Sequence, residues 1–338
     1  MPPQGSGKLL HLIARFAAAV LALTILSSSV TADPLILSAT EIDLDPLKPS
    51  QHAVGPLEFL AGYELSSESG NWGGLSGMVV SGDGALLTAI ADTGRWYRIS
   101  LEHDSAGALT GIKGAESGWL LDTKGRPPRD KTYGDAEAIT ALPDGDYLVA
   151  FEHRDRLWLY KKPAQDHALT QPAVVAGAPP VIAKLPLHGG IESIARLPSG
   201  EYLLLSESGI TADGDRLGWI GRRGKWAGLR LAPTGSFEPS DLALLPSGDL
   251  LLLERRVNLF DGFVSRLSLI DGATVLPGAV LQPRELAVLA SPLNVDNFEA
   301  VATRAAPDGS VLIYVLSDDN QRMLQRTLLL QFRLTPDP

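Results

Sequence analysis

Acidic side chains recur at matching positions along this chain of 338 residues. In five segments a polar residue near the start of one strand is followed by a glycine turn and by a second strand with an acid at its far end. The aligned first positions are Ser76, Glu137, Glu192, Ser240 and Glu299, and the far-end acids are Asp92, Glu152, Glu207, Glu254 and Asp318. The two ends of an antiparallel hairpin opposite its turn lie side by side. Hairpins arranged around one axis would therefore bring these groups together as a ring of carboxylates.

Such a ring predicts cation chemistry. Crowded carboxylates repel one another, which raises their pKa values or recruits a cation. With no cysteine and six histidines, the ligands would be oxygens, which favour Ca²⁺ over Mg²⁺ or Mn²⁺. We predict as metal ligands Glu137, Glu192, Glu299 and Asp241. The candidates for water activation or substrate orientation are Glu152, Glu207, Glu254, Asp92 and Asp318. No organic cofactor is predicted.

The same acids also have a structural interpretation. An acid at a strand end can accept hydrogen bonds from backbone N–H groups or pair with an arginine. Arginines stand beside the acids at positions 95, 154, 255, 256 and 322. His153 directly follows Glu152 and is the only histidine beside the acidic positions. For such a histidine, packing or surface exposure is a commoner role than function.

The elements that would position these acids are short strands joined by tight turns. Pro143-Asp144-Gly145 and Pro198-Ser199-Gly200 have the residues of hairpin turns, and apolar runs such as Leu250–Leu253 are typical of strands covered on both faces. Spacings of about 50–60 residues between copies favour propeller blades. We therefore predict an all-β fold, a β-propeller of five blades, with the N-terminal strand Leu57–Leu65 completing the last blade beside Leu328–Leu334. A sixth blade built from residues 33–65 is the alternative.

The N-terminal segment suggests an exported protein. Residues 1–32 have the pattern of a secretion signal: Lys8 and Arg15, the apolar run Phe16–Leu26, and small residues before Asp33. That run is too short to span a bilayer comfortably, although a retained anchor is the alternative. We expect residues 33–338 to form one domain without a membrane span, periplasmic or secreted and monomeric. The net charge of −10 argues against nucleic acid and anionic lipid as main partners.

Several short motifs resemble the bacterial phytase-like family, described by its esterase-like activity of phytase. They are Gly73–Gly77, Asp135–Ala138, Phe151-Glu152, Ile191–Ser193, Asp296–Glu299, Ser317–Asn320 and Gln325–Leu330 with Phe332. The resemblance runs over about residues 55–335. It implies an exported β-propeller that hydrolyses phosphate or carboxylic esters, with the repeated acids at the positions that could match calcium-holding residues. No dense Lys/Arg cluster stands among those acids in the sequence, so a less charged ester or lactone is as much expected as inositol hexakisphosphate.

Two functions from different classes follow. The first is a Ca²⁺-assisted hydrolase that acts on a small-molecule ester or phosphoester at the acidic end of the channel. The second is a non-enzymatic periplasmic binding or scaffold propeller in which the acids hold a structural ion or pair with arginine. A sugar-lactone or redox propeller is a weaker third, because the sequence shows no cofactor-binding residues for it.

Overall fold

The five predicted hairpins form the inner halves of five antiparallel sheets in a computed structural model. The structure describes residues 32–335, apart from 181, 183, 184, 186–188, 234, 259 and 261. The predicted signal segment lies outside the described residues, apart from its last residue, Ala32. Among the described residues, no helix is long and apolar enough to cross a membrane.

Each sheet is one blade, whose innermost strand lies at the axis and whose other strands follow outward. From the axis, blade 1 consists of β5 (Leu75–Val80), β6 (Leu86–Ala91), β7 (Arg95–His103), β8 (Leu109–Trp119) and β1 (Asp33–Leu35). Blade 2 consists of β9 (Ala136–Ala141), β10 (Tyr147–Phe151), β11 (Arg156–Tyr160) and β12 (Val174–Val175). Blade 3 consists of β13 (Ile191–Arg196), β14 (Tyr202–Ile210), β15 (Arg216–Arg222), β16 (Lys225–Leu231) and the parallel edge strand β20 (Val280–Leu281).

The last two blades complete the ring. Blade 4 consists of β17 (Glu238–Leu244), β18 (Leu250–Asn258), β19 (Gly262–Ile270) and β21 (Arg284–Leu289). Blade 5 consists of β22 (Asn297–Ala305), β23 (Val311–Asp318), β24 (Thr327–Leu334), β4 (Leu57–Ser66) and β2 (Ser38–Glu41), with β3 (Ala53–Val54) beside β4. Short helical segments include α1 (Lys131–Gly134) and the 3₁₀ turns Ala168–Thr170 and Gly272–Thr274.

The ring closes within blade 5, as predicted. Strand β4 pairs antiparallel with β24 from Leu57 opposite Leu334 to Leu65 opposite Thr327. Residues 33–65 form no blade of their own, because β1 joins blade 1 while β2, β3 and β4 join blade 5. The five-blade prediction is therefore confirmed.

The hydrophobic core is divided among the five blade boundaries. Five separate clusters of buried side chains each combine residues from two neighbouring blades. The second strand of each blade, counted from the axis, contributes an apolar run to these clusters. In blade 4 this run is Leu250–Leu253, which is fully buried. Burial of both faces explains why these strands are apolar at every position instead of at alternate ones. The packed blades hold the innermost strands in contact around the axis.

Candidate functional site

A β-bulge interrupts every innermost strand at the same place. Opposite the second strand, the pairing register skips one residue near the start of β5, β9, β13, β17 and β22. The skipped residues are Ser76, Glu137, Glu192, Ser240 and Glu299. A bulge bends its strand and redirects a side chain. The position aligned in the five sequence repeats is therefore the bulged residue of each innermost strand.

Three of the bulged residues are glutamates, and Glu192 interacts electrostatically with both of the others. Burial and then the neighbouring Glu192 raise the pKa of Glu137 well above its usual range. Burial, followed by the negative charges of Glu207, Glu152 and Glu299, raises the pKa of Glu192 in the same way. The carboxylates of blades 2, 3 and 5 thus converge at one end of the axis, as the hairpin argument predicted. The predicted ligands Glu137, Glu192 and Glu299 are brought together there.

A second set of acids joins each blade to the next. On blade 2, Glu152 Oε1 accepts the Gly190 N–H at 3.1 Å. On blade 4, Asp241 Oδ2 accepts the Val301 N–H at 2.9 Å. On blade 5, Asp318 Oδ1 accepts the Leu75 N–H of blade 1 at 3.0 Å.

The two remaining boundaries are crossed by ion pairs. Asp92 of blade 1 is bonded to Lys131, in the connection that leads to blade 2. Glu207 of blade 3 receives Arg255 Nη2 of blade 4 at 3.2 Å. Every blade boundary at the acidic end is therefore spanned by a carboxylate, and the structural interpretation of these five acids has direct support.

Arg255 is the principal cation among the axial acids. Its Nε lies 3.1 Å from Glu299 Oε2, and its Nη1 donates to Asn297 Oδ1 at 3.1 Å. Asn297 Nδ2 in turn donates to Glu299 Oε1 at 2.6 Å. Glu299 is thus balanced by one guanidinium, whereas the charge of the Glu137–Glu192 pair is less compensated.

Asp241 and Glu254 occupy positions that differ from those of the other predicted residues. Asp241 follows the bulged Ser240, and both of its oxygens accept backbone N–H groups, from Leu242 at 2.8 Å and from Val301. Glu254 lies within β18, fully buried, and receives Arg266 through Nε and Nη2, each at 3.0 Å, and Ser268 Oγ at 2.9 Å. The structure therefore places these two carboxylates in packing roles rather than in the axial group.

A compact ligand group stands beside the axial glutamates. Ligand atoms of Asp135, Glu152 and His153 all lie within 4.8 Å of one another; within the described part of the chain, Glu137, Glu192 and Glu299 are not all this close. His153, with φ of +58°, is bonded through Nδ1 to Asp135 Oδ2. Asp135 is 1% exposed and its other oxygen, Oδ1, is buried without a hydrogen bond. The nearest cation to this oxygen is Lys131 Nζ at 3.8 Å. A buried carboxylate oxygen without a hydrogen bond, in an oxygen-rich group, fits a divalent cation.

The segment that contains all five innermost strands matches a known protein family. Residues 70–321 match the family model described as phytase-like, esterase-like activity of phytase. The chain belongs to the phytase-like family. No match was found among curated protein sequences.

Solved structures similar to the phytase-like domain include three at low sequence identity. A streptogramin B lyase is 11% identical with a TM-score of 0.36, covering 88% of this chain and 98% of its own. A nidogen/laminin complex is 13% identical with a TM-score of 0.40, covering 77% and 87%. The β-propeller domain of Myceliophteria thermophila Cps50 (Swd1) is 9% identical with a TM-score of 0.38, covering 87% and 99%. Similarities of this size carry no information about activity.

The phytase-like domain is expected, without metal, to lose stability as the pH rises from about 4 to 7. Burial raises the pKa of Glu207 from 4.5 to about 7 and that of Asp318 from 3.8 to about 7. Between the unfolded and folded values the folded state binds more protons, so by the time the pH exceeds 7 Glu207 costs about 3 kcal/mol and Asp318 about 4 kcal/mol. Urea unfolding of chelator-treated protein across this range measures the effect. A flat or rising unfolding free energy would contradict it.

Proposed function

We propose that the protein hydrolyses an ester or phosphoester bond at the acidic end of its channel with the help of a divalent cation, calcium first. The observation that carries the proposal is the fivefold bulge, which aims Glu137, Glu192 and Glu299 at one end of the axis. Membership of the phytase-like family supports a hydrolase-type propeller. An exported, periplasmic or secreted monomer acting on a small molecule is part of this proposal.

The charges around each acid indicate which of them would hold the cation. Glu137 and Glu192 would hold the cation, because they carry the least compensated charge, with Glu299 steadied by Arg255 beside them. The group of Asp135, Glu152 and His153 is a second place for a cation; its imidazole would also suit a softer ion than calcium. A bound cation supplies polarisation of the ester oxygen and a lowered pKa for a coordinated water.

Proton transfer falls to the acids whose pKa lies near neutrality. Glu207 and Asp318, both with a pKa of about 7, are suited to accept a proton from water and return it to a leaving group. Both also bridge blade boundaries. The surrounding packing therefore fixes their positions while they exchange protons.

Calcium analysis is the direct test. We expect stoichiometric calcium in the purified protein and a fall in melting temperature on chelation, equivalent to about 2.7 kcal/mol when calcium was present at 100 times its dissociation constant. Hydrolysis of aryl phosphate and aryl acetate probes is expected to stop with chelation and to return with calcium. Mg²⁺, Mn²⁺ and Zn²⁺ are the comparison ions. Protein without metal and without a chelator effect would rule out the proposal.

The binding or scaffold propeller is the second candidate, favoured by a specific observation. Carboxylates span all five blade boundaries at the acidic end, and a cation there would strengthen the same joints. In that case chelation lowers the melting temperature of a protein that shows no turnover with any probe.

A further inference from the structure

A basic pocket of about 490 Å³ lies beside the acidic end, between the β8–β9 connection and blade 2. Its walls combine arginines, aromatic rings and prolines. The residues that supply its charges and rings are Arg126, Arg129, Tyr133, Arg154, Arg156 and Trp158. The volume is within the range of pockets that hold small molecules.

The charge of this pocket is opposite to that of the protein. Four arginines line it against one carboxylate, Asp122, in a chain of net charge −10. Asp122 Oδ2 is occupied by Arg126, through Nε at 2.9 Å and Nη2 at 2.7 Å. Arg129 and Arg154 pair with no carboxylate in the part of the chain that the structure describes. Two guanidinium charges therefore remain uncompensated at the pocket wall.

Aromatic rings hold these guanidiniums in place. The Arg129 and Arg154 guanidinium carbons each lie 4.1 Å from the centre of the Tyr133 ring. That of Arg156 lies 4.2 Å from the centre of the Trp158 ring, and its Nη2 donates to the Tyr133 carbonyl. A stacked guanidinium keeps its N–H edge available for hydrogen bonds to a planar or tetrahedral anion.

The arginines also repel one another. Burial lowers the pKa of Arg156 to about 10, and the positive charge of Arg154 contributes to that lowering. A bound anion would offset this repulsion and accept hydrogen bonds from several guanidiniums at once. The arrangement is thus suited to an anionic group and unsuited to a cation.

We propose that this pocket binds the phosphate or carboxylate group of a small anionic molecule. Tyr133 and Arg154 in the pocket wall are two residues from Asp135 and Glu152 of the compact acidic group, so the two sites share the same chain segments. A substrate with a second anionic group would engage both sites; that extension rests on the proposed function, whereas anion binding does not.

Isothermal titration of the full-length protein tests the proposal. Chelator-treated protein at low salt is titrated with inorganic phosphate and, separately, with benzoate. We expect saturable binding, with affinity about 10–100-fold lower in Arg129→Gln and in Arg154→Gln, since each removes charged hydrogen-bond donors. Arg284→Gln, an exposed arginine on β21, removes the same charge elsewhere and should bind normally. The tighter probe identifies the anionic group.

Two results would overturn the proposal. One is the lack of saturable binding of either probe to the unaltered protein. The other is equal affinity in the unaltered protein and both variants, with the fold of each variant checked by circular dichroism. Because turnover is not measured and calcium is removed, failure in this titration leaves the proposed hydrolase to be judged by its own test. Arg154→Lys keeps the charge without the planar fork and is expected to retain part of the affinity.

Discussion

Replacing Glu192 by glutamine is expected to move the melting temperature in opposite directions without and with calcium. In the metal-free protein, burial and the neighbouring Glu207, Glu152 and Glu299 raise the pKa of Glu192 well above its usual range. At pH 8, above the pKa of an unfolded glutamate, this carboxyl group therefore destabilises the fold, and a neutral amide in its place raises the melting temperature. With calcium, the variant lacks a ligand. We expect its calcium affinity to fall by at least about 10–100-fold and its hydrolytic activity to fall to background.

Thermal unfolding with chelator and with a calcium series measures both directions on the same samples. Glu68→Gln is the matched control, because Glu68 is exposed and the substitution changes the charge equally. A lower metal-free melting temperature together with an unchanged calcium response would remove Glu192 from the cation site. Full activity in the variant would also exclude it as a ligand of a catalytic ion.

Glu254→Gln is expected to destabilise the protein strongly. The variant leaves Arg266, whose side chain is 12% exposed, opposite a neutral amide, and breaking a buried pair costs about 3–5 kcal/mol. For a domain of this size the melting temperature should fall by about 5–10 °C. Where it remains folded, we expect its activity to be unchanged, because Glu254 is fully buried and both oxygens are engaged.

The control is a substitution of the other, exposed carboxylate near Arg266. Glu285 Oε2 lies 3.8 Å from Arg266 Nη1 and is 59% exposed, so Glu285→Gln should cost at most about 1 kcal/mol. The double variant Glu254→Leu with Arg266→Met should recover much of the lost stability, since a buried pair can often be replaced by apolar residues. A stable but inactive Glu254→Gln would instead support the catalytic role predicted from the sequence.

The fold was predictable because its signals are local and repeated. Each blade carries its own turn, as at Pro198-Ser199-Gly200, followed by an apolar second strand. The hairpin argument also brought Glu137, Glu192 and Glu299 to one end of the axis, because it depends on antiparallel pairing, but it failed for Asp241 and Glu254. Ring closure could be predicted because Leu57–Leu65 and Leu328–Leu334 both have strand patterns and were left over after the five hairpins were assigned. The structure pairs them.

The roles of individual acids were harder to predict. A bulge shifts the inside–outside alternation by one residue, so the sequence could not show that Asp241 turns to the blade boundary beside the bulged Ser240. Strand β18 continues to Asn258, which places Glu254 inside the strand instead of at its end. The partners of other acids lie far away in sequence: Lys131 comes from the connection to blade 2 and Arg255 from blade 4.

The arginine pocket was missed for a similar reason. Arg126 and Arg129 stand in an irregular connection, and Arg154 and Arg156 stand beyond the next hairpin. No periodic pattern relates the two segments. The stacking of both Arg129 and Arg154 on Tyr133 is a tertiary contact with no sequence signature, although the Arg-Pro-Pro-Arg run at 126–129 marks the first segment.

Closure through β4 and β24 also bears on how the molecule is made. Glu58 and Arg333 face each other across 275 positions of chain, so synthesis delivers β4 long before β24. Until β24 is made, the ring has an open edge that can pair wrongly and aggregate. Once these two strands pair, early and late parts of the chain lock into one sheet. The finished ring should therefore open slowly, which favours persistence over rapid turnover of the folded state.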